Sequence, residues 1–224
     1  MTYRKMLLKV LVVLLFLAPT PIFAQEGLPF WKDIQQFKKQ DSLQKPPSNA
    51  ILLIGSSSFT MWKDVQDYFK GYTIINRGFG GSTLMDQLRY INDVVFPYQP
   101  KQILIYCGEN DLASSDTVTA KMVFNRFQQL FNLIRNRLPR AHIAFVSMKP
   151  SPSRELLMSK MREGNEMIRK FLKGKRRTAY IDVYKEMIDD EGKPIPTLFL
   201  DDNLHMNKEG YVIWQRVIQP YLLK

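Results

Sequence analysis

The chain has 224 residues, 45% of them hydrophobic, which is enough for one well-buried domain and does not by itself require two. Its 32 Lys and Arg against 21 Asp and Glu give a formal net charge of +11, which favours anionic surfaces or polymers in general and is not in itself a nucleic-acid signature. Cys107 is the single cysteine and there are only two histidines, so an intramolecular disulfide is excluded and no credible zinc set is present.

Arg4 and Lys5 precede an apolar run, Leu7 to Ala18, broken only by Lys9, and Pro19-Thr20-Pro21-Ile22-Phe23-Ala24 follows. A basic start, a short apolar stretch and a small residue at the end read as a signal peptide over residues 1–24. The run is shorter than the roughly 20 apolar residues of a spanning helix. An uncleaved anchor is the alternative, and no cysteine near Ala24 offers a lipid attachment point. The expectation is a secreted or periplasmic protein with no stable membrane insertion after cleavage.

Residues 25–49 are a polar lead-in with a possible helix over Phe30 to Lys39, closed by Pro46-Pro47-Ser48. From residue 50 a regular rhythm begins. Short apolar runs occur at 50–54, 72–75, 102–106, 142–146 and 179–183. They are rich in Ile, Val and aromatics and suit strands buried on both faces. Cys107 continues the third run and reads as a small buried hydrophobe.

Between the runs lie helical stripes. Leu84, Leu88, Ile91 and Val95 recur at three-to-four spacing after Ser82-Thr83, a fair N-cap. Val123, Phe127, Leu130, Phe131, Ile134 and Leu138 repeat the pattern up to Pro139. Leu156 to Leu172 is interrupted by Gly164, and Lys208 to Gln219 forms the last helix. The basic residues are dispersed except Lys173-Gly174-Lys175-Arg176-Arg177, which reads as a solvated helix end. Strands alternating with helices pair in parallel through right-handed crossovers. The expected fold is a three-layer α/β/α domain over residues 50–224, flavodoxin-like, with about five parallel strands. Ligands of such sheets bind beyond the carboxyl ends of the strands, so those ends carry the functional signal.

The first run ends in Gly55-Ser56-Ser57-Ser58. These serines either present a hydroxyl at a helix N-terminus, where developing negative charge is favoured, or merely cap the helix. The second run ends in Asn76-Arg77-Gly78-Phe79-Gly80-Gly81-Ser82-Thr83, whose glycine N–H groups can meet an oxyanion or belong to an ordinary turn. The third ends in Gly108-Glu109-Asn110-Asp111, where Asn110 offers an amide donor or a turn residue. Near the C-terminus Asp202 and His205 stand at D-x-x-H spacing in a polar loop. A carboxylate so placed can fix an imidazole tautomer and leave the other nitrogen free as a base. His142 opens the fourth strand at the opposite end and reads as structural.

With these blocks the sequence resembles the SGNH hydrolases, or GDSL-type esterases, over nearly all of Ile51 to Leu222. The resemblance implies Ser57 as nucleophile in Gly55-Ser56-Ser57, Gly81 as the oxyanion glycine, Asn110 as the oxyanion amide, and Asp202 and His205 completing the triad. Ser56 stands where the family often has Asp, and the Leu of the GDSL name is also absent. The implied reaction is ester hydrolysis through an acyl-enzyme, with the oxyanion met by the N–H of Ser57, the N–H of Gly81 and the Asn110 amide, and with no metal or cofactor. An acyltransferase, a lysophospholipase and a non-catalytic carbohydrate-binding relative are the alternatives.

The expected substrate is a small ester or an acylated carbohydrate, with acetyl as the expected acyl group, and not nucleic acid. The loops around Ser57 are read as polar, through Arg77, Ser82, Glu109, Ser114, Lys149, Ser151, Ser153 and Arg154, which suits sugar hydroxyls and uronic carboxylates.

Overall fold

Apolar runs with no polar face become strands with no solvent face. In a computed structural model, which describes residues 27–224, five parallel strands lie in the order β2-β1-β3-β4-β5. They are β1 (Ile51–Gly55), β2 (Ile74–Gly78), β3 (Gln102–Tyr106), β4 (His142–Val146) and β5 (Thr178–Ile181). The signal peptide expected over residues 1–24 lies outside the described residues. The runs at 102–106 and 142–146 coincide with strands, and the other three are offset from theirs by one to three residues at each end.

The helices α1 (Trp31–Leu43), α2 (Ser57–Thr60), α3 (Val65–Tyr68), α4 (Leu84–Arg89) and α5 (Ile91–Val94) belong to the first half of the chain. The second half adds α6 (Glu109–Ala113), α7 (Ala120–Arg137), α8 (Met158–Lys173) and α9 (Lys208–Ile218). Alternate residues of each central strand enter different cores. Leu52, Ile54, Ile103, Ile105 and Phe145 pack with Phe127, Leu130 and Ile168 beneath α7 and α8. Ile51, Leu53, Leu104, Tyr106 and Val146 pack on the other face with Phe59, Trp62, Tyr211 and Trp214 of α9 and its neighbours. Every residue of β1 and β3 is buried, as strands covered on both faces must be.

The apolar stripe from Leu84 to Val95 is not one helix. It breaks at Tyr90 (φ −102°, ψ 13°) into α4 and α5, and the buried Tyr90 hydroxyl donates to the Pro29 carbonyl at 2.6 Å. Thr83 caps α4 in a reciprocal capping box with Asp86. The polar lead-in also folds onto the sheet. Ile34 of α1 is fully buried in the α7/α8-side core, and Asp41 pairs with the Arg77 guanidinium and accepts the Tyr98 hydroxyl at 2.6 Å.

Strand register sets where the loops emerge. Gly55 aligns with Gly78 on one side and with Tyr106 on the other. The chain therefore leaves β1, β2 and β3 at one level, and the turns that follow face each other across a single edge. Among the described residues no helix is long and apolar enough to cross a membrane.

Candidate active site

Beyond the carboxyl ends of the strands lies an open depression of ≈ 370 Å³, walled by Ser57, Thr60, Met61, Gly80, Gly81, Asn110, Arg154, Leu204 and His205. It brings four of the five residues singled out in the sequence to one wall, and the fifth, Asp202, reaches it through His205.

Ser57 sits where β1 turns into α2. Gly55 makes that turn at φ 137°, and a Cβ there would lie 1.8 Å from the Tyr106 carbonyl oxygen, so no other residue fits between the two strands. Ser56 and Ser58 are buried, whereas Ser57 is partly exposed on the depression. The turn is held by main chain: the Ser56 carbonyl accepts from the Phe59 and Thr60 N–H groups, and the Ser56 side chain caps nothing. Capping, one of the two readings of these serines, is thus not what they do.

The loops after β2 and β3 are sewn to this turn by buried polar groups. Ser82, fully buried, donates its hydroxyl to the Gly55 carbonyl at 3.1 Å, and the Gln87 amide donates to the Ser82 hydroxyl at 2.9 Å. The Ser82 carbonyl in turn accepts the Asn110 amide at 3.1 Å. Asp111, also fully buried, accepts the Leu84 N–H at 2.9 Å and the Arg126 guanidinium at 2.8 Å, tying α6 to α4 and α7. Burial pushes the Asp111 carboxyl above its ordinary value, against those two donors. Gly81 is exposed at φ 80°. The N–H groups of Ser57 and Gly81 donate to no group among the described residues. Asn110 commits one amide proton to Ser82 and keeps the other.

Asp202 and His205 meet as their spacing predicts. The carboxylate Oδ2 lies 2.6 Å from His205 Nδ1, and Oδ1 accepts the N–H groups of Leu204 and His205, each at 2.9 Å. Partial desolvation acts to raise the Asp202 carboxyl, but the hydrogen bonds from His205 and Leu204 outweigh it and hold it down at about 2. A carboxylate fixed on Nδ1 leaves Nε2 as the nitrogen free to take a proton.

One segment, read in the sequence as a polar flank of Ser57 suited to sugars, ties these parts together. After β4 the chain runs through Lys149 to a 3₁₀ turn, Pro152–Leu157. Lys149, 1% exposed, lies 3.3 Å from the Glu109 carboxylate and donates to the Leu204 carbonyl at 2.9 Å. Burial lowers the Lys149 ammonium from its ordinary value, and the Glu109 charge opposes that. The Ser153 N–H donates to the Asn203 carbonyl at 3.0 Å. Arg154 donates to the Glu109 carbonyl at 3.0 Å and to Asn110 Oδ1 at 3.2 Å. An amide whose oxygen faces a guanidinium and whose nitrogen faces a carbonyl cannot flip without pairing like with like. Arg154 therefore fixes which end of Asn110 points into the depression. The available signal was Lys149 itself, a charged side chain following directly on a buried strand at the sheet's ligand edge.

Of the polar residues read as flanking Ser57, only Arg154 lines the depression. Ser82, Glu109, Lys149 and Ser151 are buried within the loops, and Arg77 turns away to Asp41 and Tyr98. The polarity of Ser82, Glu109, Lys149 and Arg77 serves the scaffold, because a loop edge this dense in backbone groups needs internal partners, whereas the buried Ser151 hydroxyl has none among the described residues. Among the described residues no three His, Cys, Asp or Glu side chains gather as metal ligands do. His142 lies at the amino end of β4, away from the depression.

The model of the GDSL-like Lipase/Acylhydrolase family matches residues 54–213, a span that runs from the β1 turn through the His205 loop. The chain belongs to this family. It is accordingly a carboxylic ester hydrolase with the α/β architecture of the GDSL/SGNH group. Platelet-activating factor acetylhydrolase IB subunit alpha1 of Bos taurus and of Homo sapiens are each 25% identical over 215 residues, covering 92% of this chain and 88% of theirs. A GDSL-like lipase from Bacteroides thetaiotaomicron superposes with a TM-score of 0.72 at 20% identity, over 84% of this chain and 96% of that one. An acetyl-xylooligosaccharide esterase from Geobacillus stearothermophilus gives 0.63 at 14% identity, over 81% and 98%.

The buried Lys149–Glu109 pair generates a test. Lys149→Ala strands a carboxylate beneath the site, and this GDSL-family protein should lose about 3–5 kcal/mol in urea unfolding. Lys149→Met combined with Glu109→Gln removes both charges and should recover most of that loss. A double mutant no more stable than Lys149→Ala would show that the pairing is not what the lysine supplies.

Proposed function

We propose that this protein hydrolyses acetyl esters with Ser57 as nucleophile, His205 as general base and Asp202 as the carboxylate that orients it. The observation that carries the reading is the sharing of one depression by the single unburied serine of the β1 turn and a histidine whose Nδ1 is held by a carboxylate at 2.6 Å. His205 Nε2 takes the Ser57 hydroxyl proton as Oγ attacks the ester carbonyl. The oxyanion is met by the N–H of Ser57, the N–H of Gly81 and the second amide proton of Asn110. The imidazolium returns its proton to the departing alkoxide, leaving an acetyl-serine. Water, deprotonated by His205, then releases acetate and restores Ser57.

The acyl part follows from the names of the relatives and from the walls of the depression. Two of the compared proteins, the platelet-activating factor acetylhydrolase subunit and the acetyl-xylooligosaccharide esterase, carry acetyl in their names. Met61 and Leu204 are the only large apolar side chains on the walls, which gives a long chain no continuous apolar groove. The alcohol part is read as a carbohydrate, on the strength of Arg154 at the rim, whose guanidinium suits hydroxyls and carboxylates. The signal peptide expected over residues 1–24 supports reading it as an exported enzyme.

Ser57→Ala and His205→Ala should each lower kcat on a chromogenic acetate by about 10³-fold or more, and the double mutant should be little worse than either, since the groups act as a unit. Substantial turnover in Ser57→Ala would move the nucleophile elsewhere.

The pH profile has a fixed sign. With its carboxyl held at about 2, Asp202 is ionised throughout the working range and loses its charge only as pH falls through that value. Asp202 therefore adds nothing to the acid limb above pH 4, and log(kcat/KM) should fall there with a slope no steeper than one. A slope of two above pH 4 would show that Asp202 is not held down as its hydrogen bonds require.

Chain length decides the acyl assignment. Measured from acetate to decanoate esters, kcat/KM should peak at acetate or propionate. If each added CH₂ found an apolar groove worth roughly 0.8 kcal/mol, the rate would climb instead, and the acetyl reading would be wrong. Acetate release from acetylated xylan or pectin, against an acetylated glycerophospholipid, separates the carbohydrate from the lipid alcohol.

A further inference from the structure

The opposite pole of the sheet carries a charge pattern that ester hydrolysis does not use. Lys101 immediately precedes β3, Arg140 stands just before β4 and Arg177 immediately precedes β5. Because the strands are parallel, all three emerge together at the amino edge. The crossover helices end at the same pole, so the last turn of α7 brings Arg135 and Arg137, and the end of α8 brings Lys175 and Arg176. A run that reads in sequence as a solvated helix end thus joins cations from three other segments.

These residues line two depressions of ≈ 760 and ≈ 510 Å³ that share Pro139, Arg140 and Arg177 and so form one trough. No Asp or Glu lines either part. None of these cations pairs with a carboxylate among the described residues. Internal duty accounts for two of them. Arg135 donates to the carbonyls of Pro139, Ala141, Arg176 and Arg177, and Arg177 to that of Arg140, closing helix and loop ends as cations commonly do. The side chains of Lys101, Arg137, Arg140, Lys175 and Arg176 donate no hydrogen bond among the described residues, though Arg137 and Lys175 lie over the Phe96 and Phe171 rings. Held side by side they repel one another, which disfavours the folded state unless something outside neutralises them. Burial and then Arg177 lower the Arg135 guanidinium, and burial followed by Arg135 and Arg177 lowers the His142 imidazole.

We propose that this trough is a docking surface for a linear anionic polysaccharide. Guanidinium forks dominate it, and they match carboxylate and sulfate groups bidentately. It is a concave channel, which a chain can enter and a planar bilayer cannot follow to its floor. It lacks the free aromatic faces on which single-stranded nucleic acid stacks: Phe131 is 3% exposed, and Phe96 lies under the Arg137 guanidinium at 5.7 Å. The site lies at the carboxyl edge, a full strand length away, so a docked chain leaves the Ser57 depression open. Binding here would hold the enzyme on an acidic matrix while its reactive edge works on what is nearby, raising the local ester concentration as any tether does. The proposal stands apart from the acetyl-ester reading, since its readout is binding and not turnover.

The test measures binding of polygalacturonate, with neutral dextran, poly(dT) and phosphatidylglycerol vesicles as comparison probes. The wild-type protein should bind polygalacturonate and not dextran, and should lose about tenfold in affinity between low and physiological salt. Arg137→Glu/Arg140→Glu/Arg176→Glu should weaken binding at least about tenfold. Lys63→Glu/Lys70→Glu/Lys121→Glu, which changes net charge equally at exposed positions outside the trough, should change it by less than about twofold. Both triples should keep full turnover of an aryl acetate. Should the charge-reversed triple fold poorly, Arg140→Ser/Arg176→Ser should still weaken binding by about threefold. No wild-type binding, equal losses in the two triples, an unaffected trough variant, or tighter binding to poly(dT) or to vesicles would each overturn the proposal.

Discussion

Parallel strands cannot be joined by tight turns, and that constraint organises this molecule. Each connection must cross back over a face of the sheet, so every strand starts at one pole and finishes at the other. The cost is that the central strands β1, β3 and β4 are covered on both faces, with the edge strands β2 and β5 partly buried, which the chain meets with two cores built from alternate residues of the same runs. The consequence is a division of labour. Polar loops leaving the strands collect at the carboxyl edge around Ser57, and helix ends with their compensating cations collect at the amino edge. Neither gathering needs a long-range signal in the sequence, because topology performs it.

What topology does not do is hold the gathered loops in register with each other. That falls to buried polar groups whose removal leaves partners unsatisfied. Ser82 bridges the β1 turn and Asn110, Asp111 anchors α6 against α4 and α7, and the segment after β4 clamps both the Asn110 loop and the His205 loop. A buried ammonium and carboxylate are poor devices for stability, since desolvation consumes much of their attraction. Their use here is geometric. Lys149 reaches the carbonyl next to His205 and the carboxylate next to Asn110 at once, a span that no apolar side chain could fix in direction.

The strands were legible because burial on both faces leaves an unbroken apolar run, and β3 and β4 fall where their runs predict. Helices were less so. The Leu84 to Val95 stripe keeps its period across a break at Tyr90, because the pattern reports which side faces the core and not whether the backbone stays helical. Gly164, which weakens the α8 pattern, lets that helix approach Met148, whose methyl would lie 2.9 Å from an added Cβ. Within the site, Asp202 and His205 were legible because both members of the pair lie in one short loop. Arg154 and Lys149 were legible only as polar residues near Ser57; their tasks of orienting Asn110 and tying the loops were not, because their partners lie 44 and 40 to 55 residues away and are partly carbonyls that every residue possesses. The same blindness dispersed the cations of the amino pole along the sequence.

Ser56 shows how little of the β1 turn depends on side chains. The position that often carries Asp in this family is 3% exposed here and holds a hydroxyl that caps nothing. Its main chain does the structural work: the N–H donates to Tyr106 at 3.0 Å, and the carbonyl accepts from Phe59, Thr60 and the Thr60 hydroxyl. Any small residue that tolerates burial meets those requirements. A carboxylate at this depth would need donors of its own to offset desolvation. The turn therefore aims Ser57 through Gly55 and the strand register, and the departure from Asp leaves that aim intact.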